Sequence, residues 1–290
     1  PAATQAVARR TVHRSENSMF QSNASAGHFD NPGSLSTSGT TFADATREVG
    51  IALLVLVGLL SFSVAPLEAE DKKSDDKPTF YDPVERNIEG WTIAVDPLLL
   101  EGENKELGDQ AMKALANHLQ RITYIVPEKP LAQLKTMRIW LELNNPVLGN
   151  MQYHPGKGWL VNNGHDPRLV KHVHIPRAKQ LLDRHMWAKH PYVVLHELAH
   201  AYHDQILDFQ HAEVLATYQA SKDAGIYDEV LLYTGQKVRH YGLNNQMEYF
   251  AESTEAYFGV NDFYPFVRAE LKEHDPRMFT QLENIWGPVK

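Results

Sequence analysis

The chain has 290 residues, of which 43% are hydrophobic and 22% charged, a composition that excludes disorder of the whole chain. Its formal net charge of -8 comes from 36 acidic and 28 basic residues without a long basic run, so nucleic-acid binding has no electrostatic basis. Because cysteine is absent, disulfides, thiolate metal ligands and a cysteine nucleophile are excluded, and any metal must be held by His, Asp or Glu.

The beginning of the chain is predicted to lie outside the folded domain. Residues 1-48 are rich in Ala, Ser, Thr, Gly and Asn and lack apolar periodicity, which predicts a disordered tail. Residues 70-78 are predominantly charged and predict a linker that cannot pack. The folded domain is therefore expected to cover residues 79-290.

Between the tail and the linker, residues 49-69 carry the features of an export signal. They contain an uninterrupted apolar run, Gly50 to Ala65, with Arg47 before it and the small residue Ala69 after it. The run is short for a membrane-spanning helix, which favours a cleaved signal peptide over a retained anchor. We therefore expect an exported protein that is secreted, periplasmic or anchored at the cell surface.

Hydrophobic periodicity predicts both strands and helices after this segment. Alternating apolar residues favour strands in Ile88 to Leu100, Met137 to Leu143 and Leu169 to Pro176. Helical spacing is found in Lys105 to Ile122, in a segment opened by Pro191, in Asn245 to Gly259 and in two short segments at the C-terminus. Asn144 to Asp166 is rich in Asn, Gly and Pro and predicts loops. The expected fold class is therefore α+β.

A His-Glu-x-x-His motif, residues 196–200, lies on the predicted helix that follows the loops. Because four residues make just over one helical turn, His196 and His200 project from one face and can reach the same ion, with Glu197 beside it. The apolar stretch before the motif, Tyr192 to Leu195, would bury the helix, where two histidines without a partner would be costly. The residues predict a zinc site with His196 and His200 as ligands and Glu197 as general base.

A catalytic zinc ion needs a third protein ligand and an open position for water. The helix predicted at Asn245 to Gly259 carries Glu248, Glu252 and Glu255 on one face, opposite apolar side chains. A solvated acidic face is the alternative interpretation of this stripe. Because the motif lacks a third ligand, we expect Glu248 to be that ligand and Glu252 to accept a hydrogen bond from a ligating histidine. Asp204, Glu252 and Glu255 remain as alternative ligands.

The other histidines near the motif have structural interpretations. His172 and His174 alternate on a predicted strand, which favours a half-exposed strand over a substrate contact. His203 and His211 favour a polar helix surface over a spare ligand. The metzincin pattern would need glycine and histidine where this chain has His203 and Ile206, so that class of zinc enzyme is excluded.

These motifs resemble the catalytic domain of anthrax lethal factor and the bacterial Pro-Pro endopeptidases, zincins whose third zinc ligand is a glutamate in a Glu-aromatic-Phe-Ala-Glu segment. The matching segment here is Glu248-Tyr249-Phe250-Ala251-Glu252. The resemblance implies that Tyr241, two helical turns before the ligand glutamate, helps to hold the oxyanion, with His240 beside it as the fallback. The residues that carry this resemblance are confined to Leu195 to His203 and Tyr241 to Glu252.

The resemblance also implies a zincin-like fold for residues 79-290. Such a fold has a small, mostly antiparallel sheet over the active-site helix, followed by a largely helical C-terminal part. Its edge strand pairs with an extended substrate, and Leu169 to Pro176 is the strand expected to do so here. The chain has no counterpart of the large N-terminal targeting domains of lethal factor, so a toxin role is not implied.

Together the motifs predict an exported, zinc-dependent metallopeptidase with Zn2+ as cofactor and a peptide or protein as substrate. No nucleic-acid partner is expected, and a membrane contact is expected only through the apolar run at 50-65. The main alternative is a catalytically inactive zinc-binding or surface interaction module of the same fold, which would not need Glu197. A zinc hydrolase of other amides and a structural protein without metal are the two further alternatives.

Overall fold

The computed structural model of the protein describes residues 80–289. The tail, the apolar run and the linker expected at 1-48, 49-69 and 70-78 lie outside these residues. Within the described part, none of the helices combines the length and the apolar character needed to cross a bilayer.

A five-stranded sheet forms one layer of the fold. Its strands are β1 (Val84–Ile88), β2 (Trp91–Val95), β3 (Arg138–Leu141), β4 (Gln152–Tyr153) and β5 (His172–Ile175). They lie in the order β1-β2-β3-β5-β4, with parallel pairing of β2 with β3 and of β3 with β5, and antiparallel pairing at both ends. The expected α+β class is confirmed, with a small mixed sheet. The expectation of a mostly antiparallel sheet is wrong, since two pairings are parallel.

Helices make up most of the remaining structure. The α-helices of residues 80–289 are α1 (Lys105–Ile125), α2 (Glu128–Leu134), α3 (Lys157–Asn162), α4 (Arg184–Lys189), α5 (Val193–Tyr202), α6 (Ala212–Asp223), α7 (Gln246–Phe258), α8 (Arg268–His274) and α9 (Pro276–Trp286). A small hairpin, β6 (Val230–Leu231) and β7 (Lys237–Val238), precedes α7. Helices α1 and α2 form the crossover that lets β2 and β3 run parallel.

The inner face of the sheet is apolar and packs against helices. Ile139 and Leu141 of β3 are fully buried in the main core, whereas Trp140 between them belongs to a smaller cluster on the opposite face. Helix α1 adds Leu115 and Leu119, both fully buried, to the main core. Since complete burial of one leucine stabilises a fold by about 1.5–3 kcal/mol, this core provides a rigid support for the helices that pack on it.

The outer face of the sheet is also covered. Trp140 packs there with Leu160 and Leu169, which come from the segment that crosses over the sheet between β4 and β5. His174 on this face is completely buried and His172 partly buried. The expectation of a half-exposed strand is therefore wrong for His174, because the covering segment excludes solvent from it.

The edge strand of the sheet differs from the expected one. β5 lies inside the sheet, paired on one side with β3 and on the other with β4. The strand at the edge is β4, only two residues long and placed in the segment for which loops were predicted. Leu169 to Pro176 is therefore not an edge strand, and any peptide that extends this end of the sheet must pair with β4.

Helices α5 and α7 lie at the centre of the fold and pack on each other. Every residue of α7 is buried. Gly259 follows α7 directly, and a Cβ added to it would lie 2.2 Å from the ring of Tyr192, the residue before α5. The φ of Gly259, -152°, is extended, so the close approach to Tyr192 and not the backbone conformation requires a glycine here.

Candidate metal centre

Helix α5 carries the His-Glu-x-x-His motif into the interior. His196 and Glu197 are buried, and His200 is only slightly exposed. The helix is apolar on its remaining faces, including Leu195 and Leu198, which are completely buried. A helix surrounded by core in this way holds its side chains in fixed directions, so the two imidazoles have a defined separation.

Helix α7 brings Glu248 to the same place. Its N-cap is Asn245, whose side chain accepts hydrogen bonds from the backbone N–H groups of Met247 and Glu248, both at 2.9 Å. This cap fixes where the helix begins and sets Glu248 in its first turn, where the helix dipole favours a negative charge. Glu248 is buried at the interface with α5.

The three side chains converge on one point. The Nε2 atoms of His196 and His200 are 3.1 Å apart, and Oε2 of Glu248 is 3.3 Å from the first and 3.2 Å from the second. Tetrahedral zinc, with bonds of about 2.0–2.1 Å to nitrogen and oxygen, places neighbouring ligand atoms about 3.3–3.4 Å apart. His196, His200 and Glu248 therefore fit a three-ligand zinc site with little rearrangement.

The outer carboxylate of this site is Glu255. Its Oε1 lies 2.7 Å from Nδ1 of His196, whereas Oε1 of Glu252 lies 3.8 Å from the same atom, beyond hydrogen-bond range. The role expected for Glu252 therefore belongs to Glu255. Glu252 and Glu255 follow Glu248 by four and seven residues and share its helical face. The sequence pattern is therefore compatible with either residue as the acceptor for His196 and does not distinguish between them.

The charges of the site explain why it would take a cation. Burial lowers the pKa of His196, but hydrogen bonds to Glu248 and Glu255 outweigh burial and raise this pKa well above its usual value. Burial raises the pKa of Glu248, but His200 and His196 more than reverse this and hold it far below its usual range. The two carboxylates thus hold a proton on His196, and a divalent cation would compete with that proton for the same position.

Glu197 lies beside this cluster. Burial raises the pKa of its carboxyl above the usual value, against the lowering effect of His196 and His200. A carboxylate whose pKa is raised is a stronger base than one in water. Its place next to His196 on α5, together with this greater basicity, suits Glu197 to exchange a proton with a molecule bound at the cluster.

Tyr241 begins a short 3-10 turn, Tyr241–Asn244, that packs against α7. Burial raises the pKa of its hydroxyl, and the negative charge of Glu248 raises it further. The hydroxyl therefore stays protonated and can donate a hydrogen bond near the cluster. His240 is buried beside Tyr241, and its Nδ1 accepts from the N–H of Gly242 at 2.9 Å, so the proton of the neutral ring lies on Nε2 and His240 stays the fallback donor.

The remaining acidic candidate, Asp204, is occupied elsewhere. Its Oδ2 accepts from the hydroxyl of Tyr153 at 2.6 Å and from Nζ of Lys171 at 2.5 Å. Asp204 lies in a π-helical turn, His203–Leu207, that continues α5. It therefore ties the edge strand β4 to the end of the motif helix and does not act as a metal ligand.

His203 is completely buried, so its predicted position on a polar helix surface is wrong. Its ring packs against those of Phe209 and Phe250, with centroids 5.2 Å and 4.8 Å away. Neither ring nitrogen has a hydrogen-bond partner among residues 80–289, and burial lowers the pKa of His203 to about 3. His211 is partly buried and occupies the N-cap position of α6 without a side-chain capping hydrogen bond. Neither residue belongs to the cluster of donors on α5 and α7.

The structure thus brings together His196, His200, Glu248 and Glu197, leaves Tyr241 beside them, and replaces Glu252 by Glu255. Comparison of the chain with models of protein families, with curated proteins and with solved structures finds no match. What bears on the function is therefore the chemistry of these side chains.

Proposed function

We propose that this protein is a zinc-dependent metallopeptidase of the zincin type, related in its site to the lethal factor and Pro-Pro endopeptidase group. The observation that carries the proposal is the convergence of His196, His200 and Glu248, with donor atoms 3.1–3.3 Å apart, next to a buried glutamate on the same helix. Two imidazoles and one carboxylate are the ligand set of many catalytic zinc sites, in which the fourth position stays open.

In this proposal His196, His200 and Glu248 hold the ion. When bound, zinc supplies a Lewis acid that lowers the pKa of water and polarises the scissile carbonyl. Glu248 contributes a negative charge that is already ionised, because the nearby histidines lower its pKa. Glu255 accepts the Nδ1 proton of His196 and leaves Nε2 of that ring free to act as the ligand atom.

Glu197 moves the proton. Its carboxylate takes a proton from the attacking water and delivers it to the nitrogen of the leaving amine. Its buried position raises its pKa, which makes its carboxylate a stronger base for the proton of the attacking water. A module that only binds zinc has no use for this residue, and its burial beside the ligands therefore favours hydrolysis.

Tyr241 would stabilise the negative charge that develops on the carbonyl oxygen. Its hydroxyl keeps its proton at neutral pH because burial and Glu248 raise its pKa. A hydrogen bond from this hydroxyl strengthens as the oxyanion forms, which lowers the barrier to the reaction more than it strengthens substrate binding.

An extended peptide is the substrate that the fold favours. β4 pairs with β5 on one side only, so the N–H and C=O groups on its other side can pair with an added strand. The Tyr153 hydroxyl donates to Asp204 and accepts from Nε2 of Gln205, and these hydrogen bonds hold β4 against the end of the motif helix. We propose that the substrate lies antiparallel to β4, across the metal centre, in an exported enzyme.

The second candidate function is a catalytically inactive zinc-binding module. Metal content and turnover separate it from the enzyme, because the module would bind zinc without cleaving peptides. A peptide library assayed with the zinc-loaded wild-type protein, with Glu197→Gln as the control, makes this distinction. Cleavage by the wild type alone supports the enzyme, and absence of cleavage from the whole library favours the module.

Metal content by mass spectrometry is the first test of the site. We expect about one zinc per chain in the wild type and a marked loss in His196→Ala and in Glu248→Ala, since each removes one of three ligands. His174→Ala is the matched control, because it removes another completely buried histidine. Zinc retained in Glu248→Ala would contradict the assigned third ligand, and no metal in zinc-loaded wild type would contradict the proposed function.

A further inference from the structure

One oxygen of Glu255 accepts hydrogen bonds from two histidines. Its Oε1 lies 2.7 Å from Nδ1 of His196 and 2.7 Å from Nε2 of His190. Glu255 is completely buried, and His190 is slightly exposed at the edge of the site. Both distances are those of strong, charge-assisted hydrogen bonds, in which each imidazole must donate its proton. The carboxylate is therefore shared between a metal ligand and a second histidine.

His190 lies at a structural junction. Its backbone N–H bonds to the carbonyl of Met186 at 2.8 Å, and its carbonyl accepts from Val193 N–H at 3.1 Å. It thus connects the end of α4 to the beginning of α5, while its side chain reaches Glu255 near the end of α7. The ring of His190 also meets that of His196 edge to face, with centroids 5.4 Å apart.

We infer that His190 is a positioning residue of the metal centre, which acts through Glu255 to fix the ring of His196. By occupying one side of Oε1, His190 holds the carboxylate where it can accept the Nδ1 proton of His196. That hydrogen bond selects the tautomer in which Nε2 of His196 carries the free lone pair. The inference rests on the proposed function, because it assumes that Nε2 of His196 binds the metal.

The same three residues could also be read as a second metal site, since His190, His196 and Glu255 have donor atoms close together. The distances argue against this. Two ligands of one tetrahedral zinc are about 3.3–3.4 Å apart, whereas these pairs are separated by 2.7 Å. In addition, His196 would have to bind metal through both nitrogens. The contacts around Glu255 are therefore hydrogen bonds, in contrast to the wider spacing around Glu248.

Two substitutions of His190 test the inference. His190→Phe keeps a flat ring but removes the donor, whereas His190→Gln places an amide N–H close to the position of Nε2. His185→Phe is the matched control, because His185 is an exposed histidine on α4 that does not contact the metal site. Each full-length protein is stripped of metal, its folding is verified by circular dichroism, and zinc affinity is measured by competition with a chelator.

We expect zinc binding to weaken by about tenfold in His190→Phe, at the lower end of the range for lost outer partners of a metal-binding histidine. His190→Gln and His185→Phe should bind zinc like the wild type. Cobalt substituted for zinc gives a second readout, because its visible absorption reports ligand geometry and should change in His190→Phe only. This signature would not respond to a general loss of stability.

Three outcomes would overturn the inference. If His190→Phe has the zinc affinity and the cobalt spectrum of the wild type, His190 does not position His196, and this conclusion holds whether or not the protein cleaves peptides. Equal losses in His190→Phe and His190→Gln would show that the donor is not what matters. Two zinc ions per wild-type chain, falling to one in both His190 variants, would establish a second metal site instead. Failure to cleave peptides with these affinity effects intact would contradict only the proposed function.

Discussion

Two clusters of buried histidine and glutamate lie in this protein, on opposite faces of the sheet. The metal cluster consists of His196, His200 and Glu248. The sheet cluster consists of His154, His174 and Glu142, on three neighbouring strands or directly after them. Both contain two histidines and one glutamate, and both are largely removed from solvent. Composition and burial therefore do not distinguish them.

The direction of the donor atoms does distinguish them. In the metal cluster each donor lies within 3.3 Å of the other two. In the sheet cluster the residues form a line, because Nε2 of His174 faces Glu142 at 3.4 Å and Nδ1 of the same ring faces His154 at 3.1 Å. Only the first arrangement leaves lone pairs directed at a common point. A pair of buried histidines is thus a candidate metal site when its donor atoms and those of the nearby carboxylate are directed at one point.

The pKa values follow the same division. Carboxylates on two sides raise the pKa of His196 well above its usual value despite burial. Burial, together with the neighbouring His174, lowers the pKa of His154 to about 2. The surroundings of His196 therefore favour a positive charge, whereas those of His154 in the sheet cluster favour the neutral ring.

The largest expected difference between the two clusters is in turnover. Glu197→Gln should lower peptide hydrolysis by about 10²- to 10⁴-fold, because the amide cannot accept the proton of the attacking water. Glu142→Gln makes the same chemical change in the sheet cluster and should leave turnover near the wild-type value. Zinc content of both variants should stay close to that of the wild type. Equal activity losses would remove the functional distinction between the clusters.

A tyrosine beside each cluster gives the second comparison. The pKa values of Tyr241 and Tyr81 are both raised by burial and by a nearby glutamate, Glu248 in one case and Glu142 in the other. Tyr241→Phe should lower kcat by about ten- to a thousand-fold through loss of one oxyanion donor. Tyr81→Phe should change stability only, since its hydroxyl accepts from the indole of Trp140. Steady-state kinetics with a cleaved library peptide would measure both.

Glu252 and Glu255, which lie beside the metal cluster on α7, allow a comparison between two neighbouring glutamates. Glu255→Gln should weaken zinc binding by about tenfold or more, because it removes the charge that His196 donates to. Glu252 lies 3.8 Å from Nδ1 of His196, beyond hydrogen-bond range, and burial and the nearby Asp262 raise its pKa, so Glu252→Gln should have little effect. Chelator competition distinguishes the two. The reverse order of effects would restore Glu252 to the role expected from the sequence.

The sequence specified some of these features and not others. The spacing of His196 and His200 on a buried helix predicted one face, and the absence of a third ligand in the motif directed attention to Glu248. The choice of Glu255 over Glu252 depends on how α7 tilts against α5, which distant contacts determine. His203 was misassigned because the π-helical turn after α5 directs it into the core.

The sheet was harder to predict than the helices. A strand of two residues, β4, has no alternating pattern to recognise, and its segment has the composition of a loop. The parallel pairing of β3 with β5 depends on the path of the chain across the outer face, which local periodicity does not report. Consequently the edge strand of the sheet was placed wrongly, although β5 itself was expected.

The smallest expected difference concerns acid stability. Below about pH 6.5 the unfolded chain protonates its histidines, whereas His154 stays neutral in the fold until about pH 2. The unfolded state then binds more protons, so the free energy of unfolding falls with decreasing pH, by up to about 1.4 kcal/mol per pH unit from this residue. His196 has the opposite sign, since its raised pKa stabilises the metal-free fold at low pH and ceases to do so as pH rises through it.

Urea unfolding of the metal-free protein at about pH 7.5 and about pH 5.5 measures this effect. His154→Gln should lose part of the acid sensitivity, because the amide does not titrate. His118 and His203, whose pKa values burial lowers to about 4 and about 3, contribute the same dependence and remain in the variant. An unchanged slope in His154→Gln would show that the fold does not hold His154 neutral.

The contact of Gly259 with Tyr192 has a consequence for how mutations in this protein would be interpreted. Any larger residue at position 259 would have to displace the ring of Tyr192, which precedes α5, and with it the histidines that follow Tyr192 by four and eight residues. In a saturation screen scored by activity, we expect this glycine to rank with His196, His200 and Glu248 although it has no side chain to perform chemistry. Intolerance to substitution at position 259 would then reflect the close packing of the end of α7 against the start of α5, and not a chemical role.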